Sequence, residues 1–329
     1  MTHIWHDTDR DGYGSKFAAW SSPGGQEFNY VPLFDRKRPP TQALNALQDC
    51  DHVYILDFSF EPSVLTTIAE RVGIDGKVHV IDHHESFAKQ WAEYLYTDPK
   101  RREGYLRIVA DNITATTKNE SGNVFVTMNL RQSAAALSWE QFRHDIYGPL
   151  PKILAHIQDY DLWNWKLDST AEILAGFDSH GIKDMSNYQR AMEDPAYMNT
   201  LLQEGIAIKR FSDDVEMSIA NHATTFDLLG VPIPMVQCHG IFASKVGHRI
   251  LDNPLYAVSP MVFLYRIDWD GSLAIGIRSR EGFNAANFAA LFDGGGHPKA
   301  AGFRTTFPFK PSLVQTKKID TMLSDYYAD

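Results

Sequence analysis

The sequence has little cysteine and no long apolar segment. Its two cysteines, Cys50 and Cys238, are too few and too far apart for a disulfide framework or a cysteine zinc site, so a reducing cytosol is the simplest compartment. No stretch approaches the roughly 20 apolar residues of a membrane span, and the first residues lack the charged and apolar regions of a secretory signal. We therefore expect a soluble, cytoplasmic protein with no membrane partner.

The sequence also lacks an excess of basic residues. It has 31 lysines and arginines against 41 aspartates and glutamates, which gives a formal net charge of −10. Proteins that bind long duplexes gain most of their affinity from a basic surface that releases phosphate counterions. This balance argues against a long duplex as partner but leaves room for a small or short anionic substrate in a local basic pocket.

What is present predicts two domains of α/β character. A chain of 329 residues with 44% hydrophobic residues can bury two cores. Apolar runs typical of strands alternate with helix-like stretches, which predicts a parallel, Rossmann-like sheet in a first domain over residues 1–187. The predicted strands are Ile4–Trp5, Val53–Leu56, Val78–Ile81 and Val124–Met128, and the predicted helices are Leu44–Leu47, Val64–Val72 and Ser133–Tyr147.

The second half of the chain has a different pattern. Residues 188–222 are polar and helix-like without a strand signal, and we interpret them as a helical linker. Short strand candidates and one helix follow, which predicts a smaller α+β domain over residues 223–329. These candidates are Ile233–Gln237, Met261–Ile267, Leu273–Ile277 and the helix Ala285–Phe292.

Acidic residues and histidines follow the predicted strands of the first domain. Asp57 comes after one strand and Asp82-His83-His84 after the next, at the strand ends where open α/β sheets place their binding crevice. Carboxylates and imidazoles from distant segments repel one another unless cations neutralise them, so the pattern indicates bound metal. The alternatives, a strand-ending aspartate and a polar loop with incidental histidines, are weakened because several such clusters occur together.

The earliest cluster is His6-Asp7-Thr8-Asp9-Arg10-Asp11-Gly12. Asp9 and Asp11 are two residues apart, so an extended segment would point both carboxylates the same way, and we expect a helix to begin near Ser15 after a sharp turn at Gly12. By itself, this acidic run would indicate a solvent-exposed turn. Either Asp7 or His6 could complete a first metal site.

A glycine run lies far downstream, with Gly294, Gly295 and Gly296 followed by His297. Three glycines alone indicate a flexible loop, but successive backbone amides can also form a concave anion site, and His297 adds a donor. Arg278 ends a predicted strand upstream and is suited to bidentate phosphate contact. We expect these residues to bind substrate.

In their order and spacing, these motifs resemble the DHH phosphoesterase family over nearly the whole chain. Asp82-His83-His84 is similar to the family signature, and the segment Gly294–Phe303 to its DHH-associated domain. Three further motifs are matched by Asp9-Arg10-Asp11-Gly12, by Asp57 and by Asp159. The segment Asp159-Tyr160-Asp161-Leu162-Trp163 resembles the nanoRNase and small-nucleotide phosphatase members more than RecJ.

The resemblance implies a centre of two divalent cations, usually manganese, with magnesium or cobalt as alternatives. Asp9 would hold one ion, Asp11 and His83 the other, Asp57 would bridge them, and Asp159 would complete the ligand set. His84 would face the scissile phosphate, Asp82 would orient a histidine from behind, and Arg278 would bind substrate. Where many members have a histidine four residues before the first aspartate, this sequence has Trp5, so we favour Asp7 over His6.

The sequence therefore predicts a metal-dependent phosphodiesterase or phosphatase that hydrolyses short oligoribonucleotides or small nucleotides with a metal-activated water. The alternatives are a RecJ-like single-strand exonuclease, a cyclic-dinucleotide phosphodiesterase, and a degenerate member that binds nucleotide without turnover. The physiological substrate, the metal, the role of Asp161 and the oligomeric state, with a homodimer as one option, are left open.

Overall fold

The computed structural model describes residues 1–34, 38–97, 106–109, 112–119, 122–306 and 308–328. The chain divides into two compact units, Met1–Lys209 and Arg210–Asp329. The division falls inside the segment 188–222 that the sequence indicates as a helical linker, within a helix that spans Pro195–Ala220. Among the helices in these ranges, none combines the length and apolar character that crossing a bilayer requires.

The first unit contains a seven-stranded sheet of order β2-β1-β3-β4-β7-β6-β5. Its first five strands in this order are parallel, and β6 and β5 extend the edge in antiparallel pairing. The α/β prediction with a parallel sheet is confirmed. The strands are β1 Thr2–His6, β2 Asn29–Pro32, β3 His52–Leu56, β4 Lys77–Asp82, β5 Leu106–Val109, β6 Asn112–Asn119 and β7 Gly122–Asn129.

Helices cover both faces of this sheet, and the buried residues of its central strands are largely apolar, as a sheet covered on both faces requires. One face packs on α3 and α4 through Leu65, Ile68 and Trp91, and the other packs on α1 and α5. The helices are α1 Arg10–Trp20, α2 Thr41–Asn45, α3 Pro62–Val72, α4 Glu85–Thr97, α5 Ala134–Tyr147, α6 Lys152–Asp161, α7 Thr170–His180, α8 Met185–Glu193 and α9 Pro195–Ala220.

Strand register brings three aspartates to one edge of the sheet. His6 of β1 pairs with Leu56 of β3, and Leu56 pairs in turn with Ile81 of β4. The next residue along each strand is an aspartate: Asp7, Asp57 and Asp82. The three aspartates therefore follow residues that are paired side by side on neighbouring strands, and their Cα atoms lie at the same edge of the sheet.

The second unit is a six-stranded sheet of order β12-β13-β11-β10-β9-β8 with helices on both faces. Only the β9–β10 pair is parallel among its described strand pairs, as the predicted α+β class allows. The strands are β8 Thr224–Leu228, β9 Val231–Gln237, β10 Met261–Ile267, β11 Ser272–Ser279, β12 Gly295–His297 and β13 Ala300–Thr306. The helices are α10 Gly240–Asp252, α11 Ala285–Ala290 and α12 Leu313–Ala328.

Candidate metal centre

Asp57 is the residue around which the acidic cluster is built. It follows β3 directly and has a φ of 69°, in the left-handed region that only glycine enters without cost. Such a conformation costs about 1–3 kcal/mol, so the surroundings must hold it in place. The Asp57 backbone N–H donates to the Ile81 carbonyl at 2.9 Å, which ties the strained residue to the neighbouring strand.

The Asp57 carboxylate is buried and lacks hydrogen-bond donors. The residue is 1% exposed, and neither of its carboxylate oxygens accepts a hydrogen bond from the part of the chain that the structure describes. Burial, followed by the negative charges of Asp9, Asp11, Asp161 and Asp7, raises the pKa of Asp57 well above its usual value. A buried, uncompensated carboxylate is strongly destabilising, so this arrangement fits a site whose positive charge comes from bound cations.

Two sets of ligand atoms meet around Asp57. In one, oxygens of Asp7, Asp9 and Asp57 all lie within 4.8 Å of one another. In the other, the same limit holds for Asp11, His83 and Asp161, and the His83 Nε2 atom lies 3.5 Å from Asp11 Oδ2 and 3.3 Å from Asp161 Oδ2. His83 Nε2 is also 3.4 Å from Asp57 Oδ1. Carboxylate oxygens with one imidazole form the mixed donor set of a divalent transition metal, and Asp57 adjoins both sets.

The segment that carries Asp9 and Asp11 differs from the extended segment that the sequence indicates. Helix α1 begins at Arg10 rather than near Ser15, because the Asp9 side chain caps it and accepts a hydrogen bond from the Gly12 N–H at 3.0 Å. Asp11 therefore lies in the first helical turn. A Cβ at Gly12 would collide with the Asp7 carbonyl, so only glycine allows the backbone at this position to lie so close to Asp7.

The orientation of Asp11 is set by a second helix. Its carboxylate accepts hydrogen bonds from the backbone N–H groups of Ala134 and Ala135 at 2.7 and 3.0 Å. These amides open helix α5, whose N-cap Ser133 accepts from the Ala136 N–H. The N-terminus of a helix stabilises a carboxylate, so α5 offsets part of the negative charge.

Asp7, rather than His6, reaches the cluster. His6 is buried, donates from Nδ1 to the Asp7 carbonyl at 2.7 Å and lies against the Tyr13 ring. Burial lowers the pKa of His6 to about 4, which keeps the ring neutral. The structure thus gives Asp7 the position that the resemblance favours for it.

Asp82 lies behind His84. Its Oδ1 atom accepts from His84 Nδ1 at 2.6 Å and from the His83 N–H at 2.7 Å. Burial alone would raise the pKa of Asp82, but the positive charge and hydrogen bonds of His84 and His83 lower it. The hydrogen bond from His84 Nδ1 to Asp82 fixes the orientation of the His84 ring and places a proton on Nδ1. Carboxylates behind metal-binding histidines have the same effect. A nitrogen of His84 lies within 4.8 Å of ligand atoms of Asp57 and His83.

Asp159, which the resemblance implies as a metal ligand, lies outside these sets, and Asp161 lies inside one of them. The Asp159 carboxylate is occupied by the N–H groups of Lys166 and Leu167, at 2.7 and 3.2 Å, and by the Thr170 hydroxyl at 2.7 Å. Helical spacing in the sequence does not separate the two, because Asp159 is the buried residue of α6 and Asp161 is exposed.

In the second unit, Arg278 and His297 lie in one row across three strands. Arg278 of β11 pairs with Ala300 of β13, which pairs with His297 of β12. Residues directly opposite in antiparallel strands point to the same face. Arg278 donates to the Ser244 hydroxyl and to the Ile277 carbonyl, both at 2.8 Å.

The glycines of the run Gly294–Gly296 have different surroundings. A Cβ at Gly294 would collide with the Gly302 carbonyl, and Gly296 has a φ of 141° and packs on Ala300 and Ala301. Gly295 faces open space. Most of the predicted glycine loop is strand β12, paired with β13, so two of the three glycines are required by close strand packing.

Comparisons with known proteins support the fold. No family model matches the chain. The chain is 23% identical over 320 residues to the uncharacterized protein R106 of Acanthamoeba polyphaga mimivirus; the match covers 91% of this chain and 66% of the relative, just under two thirds of its length.

Among solved structures, the DHH domain of a member of the s1p family of ribosomal proteins superposes with a TM-score of 0.51 at 14% identity, over 99% of this chain and 85% of the other. RecJ from Thermus thermophilus in complex with Mn²⁺ gives a TM-score of 0.49 at 16% identity, over 99% of this chain and 52% of the RecJ chain. The chain is similar in fold to the first of these.

We predict that Asp161→Ala and Asp159→Ala affect metal binding in different ways. Losing the Asp161 carboxylate removes a ligand atom, so bound manganese should fall by about half, measured by elemental analysis after dialysis. Asp159→Ala should keep more metal but lower the thermal unfolding midpoint, because three donors in the 166–170 segment lose their acceptor. Greater metal loss in Asp159→Ala than in Asp161→Ala would contradict this assignment.

We also predict that His83→Ala loses metal whereas His84→Ala retains it. His83 Nε2 lies within 3.5 Å of three carboxylates, while His84 is held from behind by Asp82. If the chain has the phosphoesterase activity that the sequence predicts, His84→Ala should instead lower its rate by at least about a hundredfold. Elemental analysis and turnover of both purified variants test this, and equal metal loss in the two would show that the roles are not divided.

Proposed function

We propose that the chain is a manganese-dependent phosphoesterase of the DHH family that hydrolyses short oligoribonucleotides or small nucleotides. The observation that carries this proposal is the buried Asp57 carboxylate, without hydrogen-bond donors among the described residues and surrounded by the carboxylates of Asp7, Asp9, Asp11 and Asp161. Such a concentration of negative charge, with one imidazole among it, is best explained by bound divalent cations.

In this proposal, Asp7 and Asp9 hold one cation, Asp11, His83 and Asp161 hold the other, and Asp57 serves both. When bound, the two cations supply the positive charge that lowers the pKa of a water and stabilises the attacking and leaving oxygens of phosphoryl transfer. Magnesium or cobalt would satisfy the same oxygen-rich set, and manganese is preferred on the resemblance of the motifs.

The protein groups around the cations orient the phosphate. His84, held by Asp82 through Nδ1, leaves its other ring nitrogen facing the reacting groups, where it donates to a phosphate oxygen or to the leaving group when that nitrogen also carries a proton. Asp11 is fixed by the amides of Ala134 and Ala135, so the ligands are in place before substrate binds. This rigidity favours catalysis because little reorganisation is needed in the transition state.

The residues Arg278, Gly294, Gly295, Gly296 and His297 are proposed to bind the substrate's terminal phosphate or nucleotide. Support comes from the shared row of Arg278 and His297 and from the open space beside Gly295, where backbone can approach a ligand. The domain limits 1–187, 188–222 and 223–329, a cytoplasmic location and a homodimer remain predictions of the same scheme.

The rival activities differ in the length and shape of the substrate. A RecJ-like exonuclease would prefer longer single strands, a cyclic-dinucleotide phosphodiesterase would open rings, and a degenerate binder would turn over nothing. Hydrolysis of 5′-labelled RNA of graded length, linear and cyclic dinucleotides and adenosine 3′,5′-bisphosphate with manganese distinguishes them. We expect fastest turnover of the shortest linear substrates; a rate that rises with length, or no turnover at all, would contradict the proposal.

We predict that Asp57→Asn abolishes hydrolysis while stabilising the metal-free protein. The amide removes a buried charge, and asparagine tolerates the left-handed φ of this position. In EDTA the thermal midpoint of Asp57→Asn should exceed that of wild type by a few degrees, as about 1 kcal/mol produces, whereas manganese should raise the midpoint of wild type far more. Activity within tenfold of wild type would remove Asp57 from the centre.

We predict that Arg278→Ala and His297→Ala weaken substrate use while leaving metal content unchanged. Removing one charge-assisted contact to phosphate costs about 1.5–3 kcal/mol, or roughly a ten- to hundredfold loss in kcat/KM for dinucleotides. The loss should be smaller for a generic phenyl phosphodiester, which lacks a terminal nucleotide. Lys318→Ala is the matched control, because Lys318 lies on α12, against the opposite face of the sheet. Equal losses for both substrates would contradict this division of labour.

A further inference from the structure

Three aromatic side chains on both sides of Asp161, the last acidic ligand in the sequence, form a partly exposed cluster. Tyr160, Trp163 and Trp165 contact one another edge to face, with ring centroids 4.8 to 5.8 Å apart. We call this group the aromatic shelf. Although the rings pack together, Trp163 is 39% exposed and Trp165 is 38% exposed. Single exposed apolar residues are common, but a group of exposed aromatic side chains is typical of a binding surface.

The backbone of the shelf is strained and held by a dedicated anchor. Trp163 and Trp165 have φ values of 55° and 52°, which for bulky residues are genuine outliers. Asp159 fixes this conformation: its carbonyl accepts from the Asn164 N–H at 2.9 Å and its carboxylate from the Lys166 N–H at 2.7 Å. Strain held in this way is typical of functional sites, because it keeps a side chain where unstrained backbone would not.

The aromatic shelf is connected to the acidic cluster in two ways, through the chain around Asp161 and through Arg10. Asp161 is the neighbour of Tyr160 and lies two residues before Trp163, so the Cα atoms of Asp161 and Trp163 are at most about 7 Å apart. Arg10, which stands between Asp9 and Asp11, places its guanidinium over the Tyr160 ring at 4.6 Å and donates to Asp178, with Nε at 2.7 Å from the carboxylate. The shelf and the ligand cluster are therefore one connected structure.

We propose that the aromatic shelf binds the nucleobase next to the phosphate under hydrolysis, by stacking it on the indole rings. This assignment rests on the proposed phosphoesterase function and narrows its substrate class to base-bearing phosphodiesters. Stacking on tryptophan accepts every base, since each has a π face, so the shelf selects nucleotides without selecting a sequence. A protein partner is less suited to it, because stable interfaces bury about 800 Å² per partner and two indoles provide a small part of that.

The first test measures binding without turnover. The ligand is a diadenosine with an uncharged methylphosphonate linkage, added to the full chain in EDTA, and its binding is measured by isothermal titration calorimetry. The double variant Trp163→Leu with Trp165→Leu should weaken binding by about tenfold or more, whereas the Phe pair, which keeps two aromatic faces, should stay within about threefold of wild type. Trp269→Leu is the control, because Trp269 is fully exposed in the other unit.

The second test uses manganese and two diribonucleotides, one of them lacking a base. The Leu pair should lower kcat/KM for the intact dinucleotide by about tenfold or more and leave the abasic one within about twofold. A Phe pair as impaired as the Leu pair would show that the tryptophans shape the segment, and equal losses on both substrates would show that they serve the metal centre; either overturns the proposal. Base-dependent binding in EDTA without any hydrolysis would support the shelf and contradict the proposed function.

Discussion

The main constraint on this structure is the repulsion among several carboxylates, because parallel strand register brings them together at one edge of the sheet. The pairing of β1, β3 and β4 starts Asp7, Asp57 and Asp82 from one level, and helices α1 and α6 add Asp9, Asp11 and Asp161. No arrangement of these backbone elements separates the charges, so another source must neutralise them. Helix α5 supplies part through its amides, and Asp57 receives no such hydrogen bond from the described residues.

The residues around the cluster share one task, which is to hold its members before any ligand arrives. Asp82 fixes His84, Asp9 caps α1, and Asp159 organises the segment after α6 with its carbonyl and carboxylate oxygens. Asp57 stays in a left-handed conformation because its backbone is bonded to the next strand. Asp159 also fixes the segment of the exposed tryptophans, which begins next to Asp161, so the aromatic shelf and this part of the metal centre share one support.

Much of the fold and of the site could be predicted from the sequence, because apolar strands followed by aspartates are local patterns. The parallel order of the central strands and the meeting of Asp57 with His83 follow from that pattern. What the sequence does not show depends on contacts that form only in the folded chain. Asp159 and Asp161 both suit a metal, and only the contacts of Lys166 and Thr170 with Asp159 separate them. The edge strand β2 is short and half exposed, with only Tyr30 and Val31 as a strand signal, and the glycine run is a strand because β13 lies beside it.

Manganese binding by the metal-free chain tests the central claim most directly. Equilibrium dialysis gives the stoichiometry, and electron paramagnetic resonance shows whether the bound ions interact. If the carboxylates around Asp57 are neutralised by two cations that share this residue, the chain should bind two manganese ions with the spectrum of a magnetically coupled pair. Two ions without coupling, a single ion, or no binding would contradict the account.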